Sequence, residues 1–264
     1  MWELFDALIN GIPEDWKAEE IVRGSDYSYV KSRNSIGIGG LLSYDYRMPM
    51  LSKNMEGASL REVAECIKSW NFSEASVGQA AINAYYNNPE TAKRAGVAIG
   101  ASMHVEDRIY DPFIMSQNEI RGKKVTVLGH FPYLETLFEP ICEMKIITGT
   151  VSQEGDYPVT AAEYLLPESD FVFIGSSCFV DKTLPRLLEL SKNAKKVTIV
   201  GPSTTLAPIL FDYGVNDLSG FVVKDCAWAI RIIRGAENGK IFSTGQKVAF
   251  KKQKLHKQNE KSST

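Results

Sequence analysis

The chain has 264 residues, 44% of them hydrophobic and 23% charged, and a formal net charge of −2. That balance belongs to a soluble globular protein of one large or two modest domains, and it excludes a strongly basic nucleic-acid-binding body. No apolar run approaches the about 18 residues that a membrane-spanning helix needs, and the four cysteines, Cys66, Cys142, Cys178 and Cys226, form no CxxC pair for a zinc ribbon or disulfide framework.

Acids stand at Glu3 and Asp6, where a signal peptide would carry Lys or Arg, so a cytoplasmic protein is expected. Trp2 to Asn10 reads as a short amphipathic helix, ended by Gly11 and Pro13. Residues 20–24, 28–31 and 35–42 have strand character and suggest a small antiparallel meander. Ser59-Leu60-Arg61-Glu62 has the form of a capping box, opening a helix through Trp70; further helices are expected from Ser73 to Tyr86 and from Pro89 to Ala95. Strands followed by helices make the first part α+β. Residues 99–121 read as a connection.

From about Ile120 the pattern alternates: strand 124–129, helix 133–142, strands 144–148 and 171–175, helix 183–192, strand 196–200, helix 205–212, a strand near 220–223 and helix 225–235. This predicts a parallel α/β sheet. Three of its strands end in glycine followed by polar or helix-starting residues: Gly129-His130-Phe131-Pro132, Gly175-Ser176-Ser177-Cys178 and Gly201-Pro202-Ser203-Thr204. Ligands of such sheets bind beyond the carboxyl ends of the strands, so these turns mark the expected site. From Gln246 the chain carries six lysines against one glutamate, which leaves the preceding body acidic and reads as a solvated, disordered terminus.

Candidate ligand-binding residues are Gly129, His130, Phe131, Gly175, Ser176, Ser177, Gly201, Pro202, Ser203 and Thr204, together with Asn83. Ser203 or Thr204 could cap a helix whose free N–H groups meet an anion; the same turn could equally be an ordinary strand-to-helix junction. Gln79 and Asn83 stand at i,i+4 among small residues, so this helix face is expected to pack on the second domain and present Asn83 to a cleft, the alternative being two solvated amides. His130 is the candidate general base and, with Cys178 and Asp156, a candidate metal ligand; His104 is a further partner. The turn at Gly129 lacks GxGxxG and the strand ending at Gly149 lacks a terminal acid, so NAD is not expected.

The segments 76–84, Gly129-His130-Phe131-Pro132, Gly155-Asp156-Tyr157-Pro158, Val180-Asp181-Lys182-Thr183 and Gly201 to Pro208 together resemble the heavy-metal-chelation family, over roughly Leu4 to Phe250. The resemblance implies an enolase N-terminal-like α+β domain over 1–110, a Rossmann-like α/β domain over 111–250 and a basic tail over 251–264. It also implies a ligand site in the cleft between the domains. The expected function is binding or handling of a heavy-metal ion or a metal-bearing small molecule there. The alternatives are an enzyme acting on a small anionic metabolite, with His130 shuttling a proton, and a methyltransferase-like nucleoside binder. A small-molecule or metal ligand is the expected partner; nucleic acid and membrane are not.

Overall fold

In a computed structural model of the chain, the structure describes residues 2–42, 47–49, 54–100, 111–129, 131, 133–149 and 155–252. The N-terminal helix α1 (Glu3–Asn10) buries Leu4, Phe5, Leu8 and Ile9 on one face, as its spacing predicts. The expected meander is present: β1 (Glu20–Arg23), β2 (Tyr27–Ser32) and β3 (Ser35–Gly40) form a three-stranded antiparallel sheet in that order.

The capping box at Ser59 and Glu62 opens α2 (Leu60–Ala64), which continues as a 3-10 turn over Glu65–Lys68. The longest helix, α3 (Phe72–Tyr86), starts at Asn71, whose side chain accepts from the Glu74 amide; α4 (Pro89–Ala95) follows, capped by Asn88. In α3 every residue except Ser73 and Tyr85 is buried, so it is a central pillar covered on all sides.

Small residues make this burial possible. A Cβ at Gly37 of β3 would stand 2.0 Å from the Ala84 amide nitrogen and 2.2 Å from the Ala80 carbonyl oxygen. One at Gly39 would stand 2.0 Å from the Ser76 carbonyl oxygen. Strand and helix therefore touch backbone to backbone, at a distance only glycine allows.

The second half begins with α5 (Pro112–Ser116), capped by Asp111 inside the expected connection. Its sheet strands are β4 (Lys124–Leu128), β5 (Glu143–Thr148), β6 (Tyr157–Pro158), β7 (Phe171–Gly175), β8 (Lys196–Val200), β9 (Asp217–Val223) and β10 (Gly245–Lys251). The spatial order is β10-β9-β8-β7-β4-β5-β6, parallel throughout except for β10 against β9. The chain runs outward from β4 through β5 to β6, then returns to pair β7 on the other side of β4. This reversal opens a crevice between the carboxyl ends of β4 and β7. The helices that join or follow the strands are α6 (Leu134–Phe138), α7 (Ala162–Leu165), α8 (Leu184–Leu190) and α9 (Cys226–Ile233).

Three expectations are corrected. The helix read over 133–142 ends at Phe138, just ahead of Pro140, which cannot continue it. No α-helix spans 205–212: the chain leaves Thr204 extended and forms only a 3-10 turn over Pro208–Tyr213, because Pro208 has no N–H and the preceding carbonyls are bonded elsewhere. The segment 246–251 is not a disordered tail but most of the antiparallel edge strand β10, with Gln246, Val248 and Phe250 buried. Residues from 253 onward lie outside the described residues, as do His104, His130 and Pro132.

One hydrophobic core crosses the middle of the chain. It joins Leu4, Val30 and Ala80 of the first half to Ile174, Leu206 and Val248 of the second. A second cluster packs Tyr29, Ile36 and Ile38 against Phe221 and Ile233.

Gly37→Ala is expected to cost at least about 3 kcal/mol, the upper end of ordinary overpacking, because backbone rather than a flexible side chain stands in the way. Gly57→Ala, with φ of 85° and open space around it, is expected to cost only about 1–2 kcal/mol. Urea denaturation of both variants checks the contrast.

Candidate functional site

The glycine ends of β4 and β7 adjoin at the reversal point: a Cβ on Gly129 would stand 4.0 Å from the Gly175 Cα, and Gly129 adopts φ of 106°. Above them lies a cavity of about 220 Å³, with Gly149 at the end of β5 forming a third side-chain-free patch. Leu128, Ile147 and Leu187 supply apolar wall, and Leu42, after β3, reaches in from the first half. Among the described residues the polar side chains of the lining are Ser177, Cys178, Asp181 and Thr183, all from the loop that joins β7 to α8.

That loop is shaped by a non-glycine residue in the left-handed region, Lys182 with φ of 65°. Asp181 and Thr183 both line the cavity, while the Lys182 ammonium is turned away to the carbonyl oxygens of Ser69 and Val180. It rests over the rings of Trp70 and Phe72, at 5.3 and 4.8 Å. Burial, outweighing the attraction of the neighbouring Asp181 charge, lowers its affinity for the proton, to a pKa of about 8.

Asp181 Oδ1 accepts hydrogen bonds from the Thr183 amide (2.9 Å) and hydroxyl (2.5 Å). Burial nevertheless raises its pKa above the ordinary carboxyl range, outweighing those bonds. The Cys178 thiol, 4% exposed, is pushed well above its usual range, by burial first and by the negative charge of Asp181 second. In the absence of a metal it is held as a thiol, and a ligand that engaged it as a thiolate would have to displace that proton.

The other expected site residues are placed differently. Ser176 and Ser203 are buried, their hydroxyls joined at 2.9 Å behind the cavity wall, and a Cβ on Gly201 would collide with the Ser176 hydroxyl. Thr204 is fully buried. With no α-helix after it, the Gly201-Pro202-Ser203-Thr204 turn does not have the helix N-terminus on which an anion site depends. Phe131 packs against Phe113 on the other side of β4, and Asp156 stands just before β6; neither is among the described residues lining the cavity.

Asn83 lies inside the protein, and the pair Gln79 and Asn83 extends to a third amide at Asn87. All three are buried, not solvated. Gln79 Nε2 donates to the carbonyls of Ser176 and Ser203, and its Oε1 accepts from the Gly40 amide. Asn83 Nδ2 donates to Ile38 and Ser203, and its Oδ1 accepts from the Thr205 hydroxyl. Asn87 Nδ2 donates to Thr204 and Phe221, and its Oδ1 accepts from the Leu206 amide. The amides thus fasten the strand-end segments from behind rather than facing a ligand.

Asp181, Thr183 and Gly149 are the cavity residues that strand-end reasoning passes over. The spacing Gly175 to Asp181-x-Thr183, an aspartate followed two residues later by a hydroxyl before a helix, is the signal that marks them.

Two family models match the chain, both described as "Putative heavy-metal chelation": DUF364 over residues 111–252 and DUF4213 over residues 5–86. The chain belongs to this family. A crystal structure of a DUF364-family protein of unknown function from Desulfitobacterium hafniense is 55% identical, with a TM-score of 0.88, covering 96% of this chain and 99% of that one. Another, from Pyrococcus horikoshii, has the same fold at 21% identity, with a TM-score of 0.74 over 94% and 98% of the two chains. An uncharacterized protein of Methanocaldococcus jannaschii is 25% identical over 253 residues, covering 91% of this chain and 92% of its own.

The family description calls for a test of the donor set. Among the described residues no three His, Cys, Asp or Glu side chains gather as a metal site, and the cavity offers one protonated thiol and one carboxylate. A metal held by protein alone takes three or four ligands. The described side chains therefore do not fit a bare heavy-metal ion.

Two outcomes follow. Asn83→Ala removes the amide partner of the Ile38 carbonyl and the Thr205 hydroxyl, each costing about 1–3 kcal/mol, while the Ser203 carbonyl keeps Gln79, so a loss of at least about 2 kcal/mol is expected in urea denaturation. Asp181→Asn keeps the acceptor for Thr183 but removes a carboxylate whose folded pKa is raised. Such a group stabilises the fold fully below the ordinary carboxyl value and loses that contribution as pH rises through its own higher value. The variant is expected to melt above the wild type at neutral pH, with the gain shrinking on acidification, as calorimetry at several pH values would read.

Proposed function

We propose that the chain binds a small molecule that carries a heavy metal, in a cleft between an enolase N-terminal-like half and a Rossmann-like half. The observation that carries this reading is the cavity at the reversal point, with Asp181, Thr183, Ser177 and Cys178 on one loop and with too few described donors for a bare ion. A chelated metal brings most of its ligands with it, so the protein needs to supply only shape, hydrogen bonds and at most one donor. The family description supports a metal, and the cavity has room for its carrier. His130, next to Gly129 in sequence, is retained as the candidate for that one donor.

A half-buried carboxylate whose pKa is raised by its surroundings and which lines a cavity is consistent with a binding group rather than a structural one. Four free cysteines suit a reducing compartment, and no helix among the described residues is long and apolar enough to cross a membrane. We place the protein in the cytoplasm on that basis.

The test is elemental analysis combined with mass spectrometry of protein purified without a histidine tag. Metal and one organic compound are expected to leave together on denaturation, in a ratio near one to one, and both to be depleted in Asp181→Asn. Metal held without an organic companion would return the site to a protein-only metal centre; protein free of both would set the reading aside.

A further inference from the structure

We infer that the ligand of this cavity is a single-ring compound of zero or positive net charge, presenting hydroxyl or amine donors, and that anionic compounds of the same shape are rejected. The inference rests on the cavity being the ligand site, as proposed above, and deepens that reading by giving the ligand its charge and donor pattern.

Charge comes first. Among the described residues lining the cavity, Asp181 alone bears a formal charge. The nearest cation in sequence, Lys182, is removed from the cavity by its left-handed backbone and tied to Ser69, Val180 and two aromatic rings. An entering anion would meet a carboxylate with no compensating positive group among the described residues of the wall. A cation or neutral donor would meet a partner.

The hydrogen-bonding pattern points the same way. Asp181 Oδ1 is occupied by the Thr183 amide and hydroxyl, and Oδ2 has no partner among the described residues. Because Thr183 spends its proton on Asp181, its remaining capacity is as an acceptor. Asp181 and Thr183 thus ask for donors from the ligand, and the Ser177 hydroxyl can serve as either donor or acceptor.

Shape supplies the ring. Gly129, Gly149 and Gly175 leave a floor bare of side chains, and Leu128, Ile147 and Leu187 enclose it with apolar surface. An apolar cavity of about 150 Å³ takes up benzene; one of about 220 Å³ accommodates a ring with a short substituent.

Three compounds of matched size separate the charge states: dopamine, 4-ethylcatechol and 3,4-dihydroxyphenylacetate, titrated by calorimetry at neutral pH without metal and without oxygen. Dopamine is expected to bind tightest and the acid at least about tenfold more weakly than dopamine. In Asp181→Asn, which keeps the shape of the wall, the gap between them is expected to fall below about threefold. Equal or tighter binding of the acid overturns the inference, as does an undiminished gap in Asp181→Asn, or failure of both dopamine and 4-ethylcatechol to bind at about 5 mM. Titrating the one-to-one gallium(III) complex of dopamine, which gives up both catechol protons on chelation but keeps its ammonium donor, separates the two readings. A charge order that holds while gallium fails to tighten binding keeps this inference and removes the metal-bearing ligand.

Discussion

The arrangement depends on three side-chain amides on one helix. Gln79, Asn83 and Asn87 lie one turn apart along a stripe of α3 that passes beneath the strand-end segments of the second sheet, and each uses both donors and its acceptor on groups of other segments. Buried carbonyls at Ser203 and Thr204 have no sheet or helix to satisfy them, and each would carry a desolvation cost if left unpaired. The amides remove that cost, and in doing so they fix an extended path from Ser203 to Leu206. They replace the regular structure that Pro208 prevents from forming.

This clamp reaches the cavity through one residue. The Ser176 carbonyl that Gln79 holds stands directly before Ser177 and Cys178, so the loop that supplies the described polar side chains of the cavity is anchored at its start to α3. Its far end is anchored by Lys182 to the Ser69 carbonyl, at the turn that leads into α3. Asp181 and Thr183 are thus held between two attachments to the first half of the chain. Preorganisation of this kind lets a buried carboxylate persist where solvation alone would oppose it.

Much of the fold was legible because its signals are local. The runs Val125–Leu128, Phe171–Ile174 and Val197–Val200 are continuous apolar segments stopped by glycine, and they form the central parallel strands as read. Asn83 was legible as a residue facing the second sheet, but not as a clamp, because its partners lie far off in sequence and two of the three are backbone carbonyls with no residue-type signature. The same holds for β10: Gly245–Lys251 alternates weakly and carries lysines, so composition pointed to a solvated terminus, while pairing with β9 and burial of Gln246, Val248 and Phe250 decide otherwise. Local propensity lost to tertiary contact there. Asp181 was visible as a turn residue; its raised pKa was not, because desolvation is a property of the assembled surroundings.

The hydrophobic core that runs unbroken from α1 to β10 has a consequence for how the molecule lives and fails. Two sequence families meet in it, yet neither half ends at a surface of its own: Gly37 and Gly39 are pressed on α3, and α3 is fastened to the second sheet. Separation would strip apolar faces on both sides and leave the amides and the carbonyls they serve facing water or nothing. Opening either half therefore exposes the packed face of the other, and the two matched segments share one core.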